Sequence, residues 1–173
     1  MSHTAQPDTA THSVVTSGEG ESLWFNGALQ DIKLPGAWSG DAISIVEVTA
    51  RAGRATGMHT DPSHESFYIL DGELLFHVDG SELRASTGDT VAIRRGVPHA
   101  FLIVSPLARF LVMNAPGTQD SFFRAGGIPA EHRDHDAALP PDMQRTAAAA
   151  AQHGIELLGP PPFAADTVTT RSG

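Results

Sequence analysis

Three side chains able to bind a metal or move a proton, His59, Asp61 and Glu65, stand at odd positions in the segment GRATGMHTDPSHESFYILDG, residues 53–72. Residues of equal parity share a face of an extended strand. These three therefore point one way, with Phe67 and Ile69 beside them and Pro62-Ser63 allowing a bend between. A second segment, GDTVAIRRGVPHAF at residues 88–101, sets His99 just after a Gly/Pro turn at the start of a strand. Two histidines and a carboxylate leave open positions on one divalent ion of the iron, nickel, manganese, cobalt or zinc kind, and the residues do not choose among these. The chain has no cysteine, so a disulfide framework, a thiolate site and a cysteine nucleophile are all excluded. A metal held by nitrogen and oxygen can polarise a carbonyl or enol, acidify bound water, or bind dioxygen if it is redox-active.

The elements that must position these residues are strands. Short runs rich in β-branched and aromatic residues cover 43–49, 66–70, 74–78, 90–93, 99–104 and 108–113, separated by Gly, Pro, Asp and Ser. That spacing predicts an all-β sandwich or barrel. Asp71-Gly72 and Asp79-Gly80 favour the positive-φ turns that join antiparallel strands. No helical periodicity interrupts the stretch, which argues against a parallel βαβ sheet. After Pro116 the segments SFFRAGG and IPAEHRDHDAALPP read as turn-rich. A helix is then expected over about 141–153, with Asp142 as N-cap and Gly154 as its stop, and IELLGPPPF is apolar enough to fold back onto the barrel.

The two site segments resemble the two cupin motifs, G-x5-H-x-H-x3,4-E-x6-G and G-x5-P-x-G-x2-H-x3-N. Gly53, His59, Glu65 and Gly72 match the first, and Gly88, Gly96 and His99 the second. The phrases HESFYILDGELLF, GDTVAIRRGVPHAF and RFLVMNAPGTQDSFFRAGG are similar to single-domain bacterial cupins of the quercetin 2,3-dioxygenase-like kind. The resemblance covers about residues 40–163. It implies a double-stranded β-helix or jelly-roll barrel with a short C-terminal helical extension, a metal held by His59, Glu65 and His99, and a homodimer. Where the motifs have a second histidine, a proline and an asparagine, this chain has Asp61, Arg94 and Ile103. The last two replace positions that are not ligands. Asp61 can serve as a substitute carboxylate ligand, His64 can swing in as the alternative, or the site can have weakened; parity favours Asp61.

The implied activity is a dioxygenase acting on a flavonol-like or other enolisable substrate, with Glu65 as both ligand and general base, and Phe67, Ile69, Phe101 and Ile103 as inward core residues that also wall the pocket. A non-redox cyclase, isomerase or lyase of a polyketide-like metabolite would use the same ligands. A cupin that only binds a small molecule is the third reading.

The remaining histidines carry less. His3 and His12 lie in a Ser/Thr/Gly-rich arm spanning residues 1–20, read as flexible and unable to pre-organise a site. His77 reads as a half-exposed sheet residue, and His132, His135 and His153 as surface residues. At 173 residues the chain makes one domain, taken as 21–163 with a flexible tail at 164–173. Its net charge of −9, with 20 acidic against 11 basic residues, disfavours nucleic acid and anionic membrane as partners and leaves small molecules. Without a basic n-region or a long apolar run, the expected location is cytoplasmic.

Overall fold

In the computed structural model, residues 11–134 and 140–164 are described; His3, His135 and the tail beyond residue 164 lie outside them. The strands are β1 (Glu21–Phe25), β2 (Ala28–Leu34), β3 (Ser44–Arg51), β4 (Met58–Thr60), β5 (His64–Asp71), β6 (Glu73–Val78), β7 (Ser81–Ser86), β8 (Thr90–Ile93), β9 (His99–Ile103) and β10 (Leu107–Ala115). They are followed by helix α1 (Gln119–Gly126), β11 (Ile128–Pro129), helix α2 (Met143–Gln152) and β12 (Glu156–Gly159). Two antiparallel sheets face each other, one ordered β11-β1-β2-β3-β10-β5-β8 and the other β12-β4-β9-β6-β7.

Alternation along the strands builds the interior. Val46, Val48 and Ala50 of β3, Phe67 and Ile69 of β5, Phe110 and Val112 of β10, and Leu74 and Phe76 of β6 are all buried between the sheets. Phe67 meets Phe76 edge to face at 5.0 Å, and Phe101 meets Phe110 at 5.5 Å. These geometries let the positive ring edge meet a negative face while large apolar area leaves water. The expected turns are present: Gly72 and Gly80 both hold positive φ, as does Asp79. Gly72 has a second reason to be glycine, because a Cβ there would sit 2.6 Å from the Leu107 carbonyl oxygen.

Two features differ from the sequence reading. The barrel begins earlier, with the β1–β2 hairpin turning on Asn26-Gly27, both at positive φ as a tight hairpin requires. The stretch read as turn-rich after Pro116 contains α1. Its N-cap Thr118 makes no side-chain cap bond. What holds the helix is tertiary: Phe122 and Phe123 are buried, each meeting Phe25 edge to face, and Arg124 bonds both Asp120 and Glu21. The second helix follows expectation. Asp142 accepts a hydrogen bond from the Arg145 amide at 2.9 Å, and Gly154 takes φ +72° while the Ile155 amide returns to the Ala150 carbonyl. β12 then folds back and pairs with β4. No helix among the described residues is long and apolar enough to cross a membrane.

Candidate metal centre

β4 and β9 are adjacent antiparallel strands, and their register sets His59 opposite His99. Glu65 is the second residue of β5, on the facing sheet, and Asp61 lies in the bend that carries the chain from one sheet to the other. Four donor atoms, one from each residue, fall within 4.8 Å of one another. His59 Nε2 is 3.2 Å and His99 Nε2 3.5 Å from Asp61 Oδ2, and His99 Nε2 is 3.0 Å from Glu65 Oε2. Asp61, Glu65 and His99 are buried.

The hydrogen bonds behind the rings decide what they present. His59 Nδ1 lies 2.8 Å from the Gly57 carbonyl and His99 Nδ1 lies 2.9 Å from the Val97 carbonyl. A carbonyl only accepts, so each Nδ1 carries its proton and donates it, leaving Nε2 of both rings aimed at the common centre. This is the tautomer and back-bonding that a metal-ligating histidine uses. Asp61 Oδ2 is buried, and among the described residues only the two Nε2 atoms approach it. Lone pairs converging on one point, with two negative charges and two imidazoles, fit a divalent cation.

Electrostatics agrees. Burial pushes Asp61 toward its neutral form, but the His59 hydrogen bond and the His59 and His99 charges outweigh it and hold the carboxyl below its ordinary value. Burial likewise opposes charge on His59, yet Asp61 through its hydrogen bond and charge, with help from Glu65, holds that imidazole above its ordinary value. A site that draws a proton onto His59 draws a cation by the same forces.

Two supporting residues escaped the sequence reading. Asn114 Nδ2 donates to Glu65 Oε1 at 3.4 Å, and Gln119 Nε2 donates to Asp61 Oδ1 at 3.1 Å. Asn114 continues the inward stripe Ala108, Phe110, Val112, so a polar residue on an apolar face was the available signal. Gln119 sits on α1, which the sequence did not disclose.

His64 is not part of the group. It is exposed, and its Nδ1 accepts a hydrogen bond from the Arg95 amide at 3.3 Å. Its even parity turns it out of the barrel, as the strand geometry demands. His77 is half-buried on β6, His132 is exposed, and the half-buried His153 ring packs at 6.5 Å from Phe122. None joins the cluster.

A cavity of about 500 Å³ opens above the cluster. His59 and Glu65 reach its wall, while Asp61 and His99 lie behind them. Of the four apolar residues expected to wall it, only Phe101 does so. Phe67, Ile69 and Ile103 are 1%, 0% and 0% exposed and belong to the core. Parity fixes the face of a strand but not the depth, and the phenylalanine cluster fills the barrel below Phe101. The rest of the wall comes from segments that close the barrel mouth, including Phe122, Phe123 and Leu157.

Comparison with known proteins bears on this arrangement. A family model of the cupin domain matches residues 46–113. Quercetin 2,3-dioxygenase of Bacillus subtilis (strain 168) is 28% identical over 129 residues, which is 74% of this chain and 38% of that protein. The chain thus spans well under half the length of that relative. Among solved structures, KdgF from Halomonas sp. superposes with a TM-score of 0.57 at 18% identity, covering 64% of this chain and 99% of that one. A predicted oxalate decarboxylase from Thermotoga maritima gives 0.55 at 21% identity, covering 60% and 98%. At those identities the two structures speak to fold alone. The domain match contains His59, Glu65 and His99, and the barrel that carries them has the cupin jelly-roll fold with short C-terminal helices: residues 46–113 are a cupin domain.

Proposed function

We propose that the protein is a metal-dependent cupin enzyme, a dioxygenase acting on a flavonol-like or other enolisable small organic substrate, with His59, Asp61, Glu65 and His99 as the ligands of one divalent ion. The observation that carries this reading is the pair of Nδ1 to carbonyl bonds, which aim two Nε2 atoms and two carboxylates at one point beside an apolar cavity. The distant likeness to a dioxygenase supports the reaction class. A bound divalent metal would supply Lewis acidity toward a substrate oxygen and, if redox-active, a route for dioxygen.

The chain's own residues do the remaining work. Glu65 is the one carboxylate of the cluster that reaches the cavity wall, so it is the group placed to take the proton of an enolic hydroxyl. Asn114 on Oε1 fixes the carboxylate plane and leaves Oε2 toward the centre. Asp61, behind the wall and held ionised, supplies charge without competing for the substrate proton. Phe101, Phe122 and Phe123 exclude water and offer flat apolar surface to an unsaturated substrate.

Metal analysis of the purified protein beside folded His59→Ala, Glu65→Ala and His99→Ala variants tests the ligands. The parent should carry about one equivalent and each variant should lose most of it. Oxygen uptake with quercetin then tests the reaction. A protein that stays metal-free after reconstitution ends the enzyme reading. Metal retention with no oxygen uptake on any enolisable compound moves the assignment to a non-redox cyclase, isomerase or lyase.

A further inference from the structure

Of the polar side chains on the cavity wall outside the metal centre, Asn26, Thr56 and Thr146 are hydrogen-bonded to protein groups, and Arg54 and Gln30 stand apart. Arg54 is the one lysine or arginine among the described residues lining it. Five other cations pair with carboxylates, Arg84 with Glu73, Arg109 with Glu47, Arg124 with Glu21 and Asp120, Arg133 with Asp31, and Lys33 with Glu47, while Arg94, Arg95 and Arg145, which form no such pair among the described residues, lie away from the cavity. The Arg54 guanidinium makes no such pair among the described residues. It lies instead on the bare face of Gly27, where any Cβ would fall 2.5 Å from its Cζ. In a chain with 20 acidic and 11 basic residues, an arginine left without a carboxylate at a cavity wall is a placed charge.

Gln30 is the second group. It projects from β2 into the same cavity and is only 4% exposed, yet its Oε1 has no hydrogen-bond partner among the described residues. A buried acceptor without a donor is unfavourable unless something else supplies the donor. No charge crosses the cavity to neutralise Arg54, because Glu65 is turned to His99 and Asn114.

The geometry points to an anionic substrate: an enolisable organic acid whose carboxylate pairs with Arg54, whose hydroxyl or N–H donates to Gln30 Oε1, and whose enolic oxygen meets His59 and Glu65. This rests on the functional reading above and deepens it by naming the substrate class. A divalent ion would offset the charges of Asp61 and Glu65, leaving Arg54 to make the cavity net positive inside an acidic protein. The planar guanidinium fork matches a carboxylate with two parallel bonds, which a neutral ester cannot reproduce.

The test is equilibrium binding by calorimetry, with phenylpyruvate and 2-oxoglutarate each set against its methyl ester, on both zinc-loaded and metal-free protein. Zinc prevents redox turnover, and metal content is measured on every sample. The acid should bind at least about tenfold tighter than its ester in the parent protein. Added salt should weaken the acid and leave the ester unmoved. Arg54→Gln should erase the preference without weakening the ester, Arg54→Lys should restore part of it, and Gln30→Leu should weaken acids bearing a donor. Acids that bind no tighter than their esters overturn the proposal, as does a preference that survives Arg54→Gln. The salt dependence needs no variant and decides the matter if Arg54→Gln does not fold. Metal-free samples that still prefer acids through Arg54 uphold this proposal while the metal reading fails; zinc-loaded samples without the preference do the reverse.

Discussion

Asp61→Asn is the most informative single change, because it keeps the shape of the side chain and removes its charge. Asp61 is 3% exposed, accepts from Gln119 at Oδ1, and has His59 Nε2 at 3.2 Å and His99 Nε2 at 3.5 Å from Oδ2. In metal-free protein the carboxylate pairs with a protonated His59. Losing one buried hydrogen bond of that charge-assisted kind is worth about 1.5–3 kcal/mol. For a chain of this size that is a drop in Tm of roughly 3–12 °C.

The pH dependence gives the prediction its sign. Asp61 has its carboxyl held below the ordinary 3.8, so its contribution is present above that value and is lost as pH falls through the depressed one. His59 is held above the ordinary 6.5, so its contribution is complete below 6.5 and is lost as pH rises through the elevated value. The parent's advantage over Asp61→Asn should therefore be greatest between about pH 4 and 6.5 and shrink on the alkaline side. Differential scanning calorimetry of metal-free protein in steps from pH 5 to 9 measures it. An advantage that is flat or grows through this range refutes the pairing. In metal-loaded protein the same variant should lose affinity for the ion at every pH, read by competition with a chromogenic chelator.

Other perturbations read other parts of the molecule. Asn114→Leu removes the donor behind Glu65 Oε1 and should lower metal affinity by about 10–100-fold in folded protein, measured by the same competition. Gly72→Ala forces a Cβ against the Leu107 carbonyl at φ +91° and should destabilise the barrel by about 1–3 kcal/mol in urea unfolding. Asp31→Asn breaks the twin bonds from Arg133 that hold the segment after β11 onto β2, and should cost about 1.5–3 kcal/mol at pH 7. Burial opposes charge on Asp31, but Arg133 and Ser22 hold its carboxyl below the ordinary 3.8, so this loss should fade as the parent is titrated through that depressed value.

The fold was legible because a two-sheet barrel writes itself in period-two alternation and in turn residues. Phe67, Ile69, Phe110 and Val112 alternate with outward neighbours, and Asp71-Gly72 and Asp79-Gly80 reverse the chain where expected. Asn26-Gly27 is an equally sharp turn signal, but the short mixed runs on either side of it do not announce β1 and β2. Helix α1 was illegible for a different reason. With no side-chain cap and a glycine at its end, it draws its stability from Phe25 and the barrel mouth, which local sequence cannot express.

The candidate site divides along the same line between local and long-range information. That His59, Asp61 and Glu65 share a face follows from parity alone, and His64 is turned outward by the same rule. That His99 stands opposite His59 depends on the pairing of β4 with β9, and depth in the barrel depends on how the phenylalanines fill it. Hence Phe67, Ile69 and Ile103 share the inward face of their strands but end up below the cavity. Arg54 and Gln30 were silent for a related reason. Neither belongs to a motif, and only the closed barrel shows one without a carboxylate and the other without a donor, on the wall of one cavity with Glu65. On the proposed reading, substrate choice would be carried by groups that reach the cavity from the β1–β2 hairpin and the loop before β4. The candidate ligands themselves come from β4, β5 and β9 and from the bend between the first two.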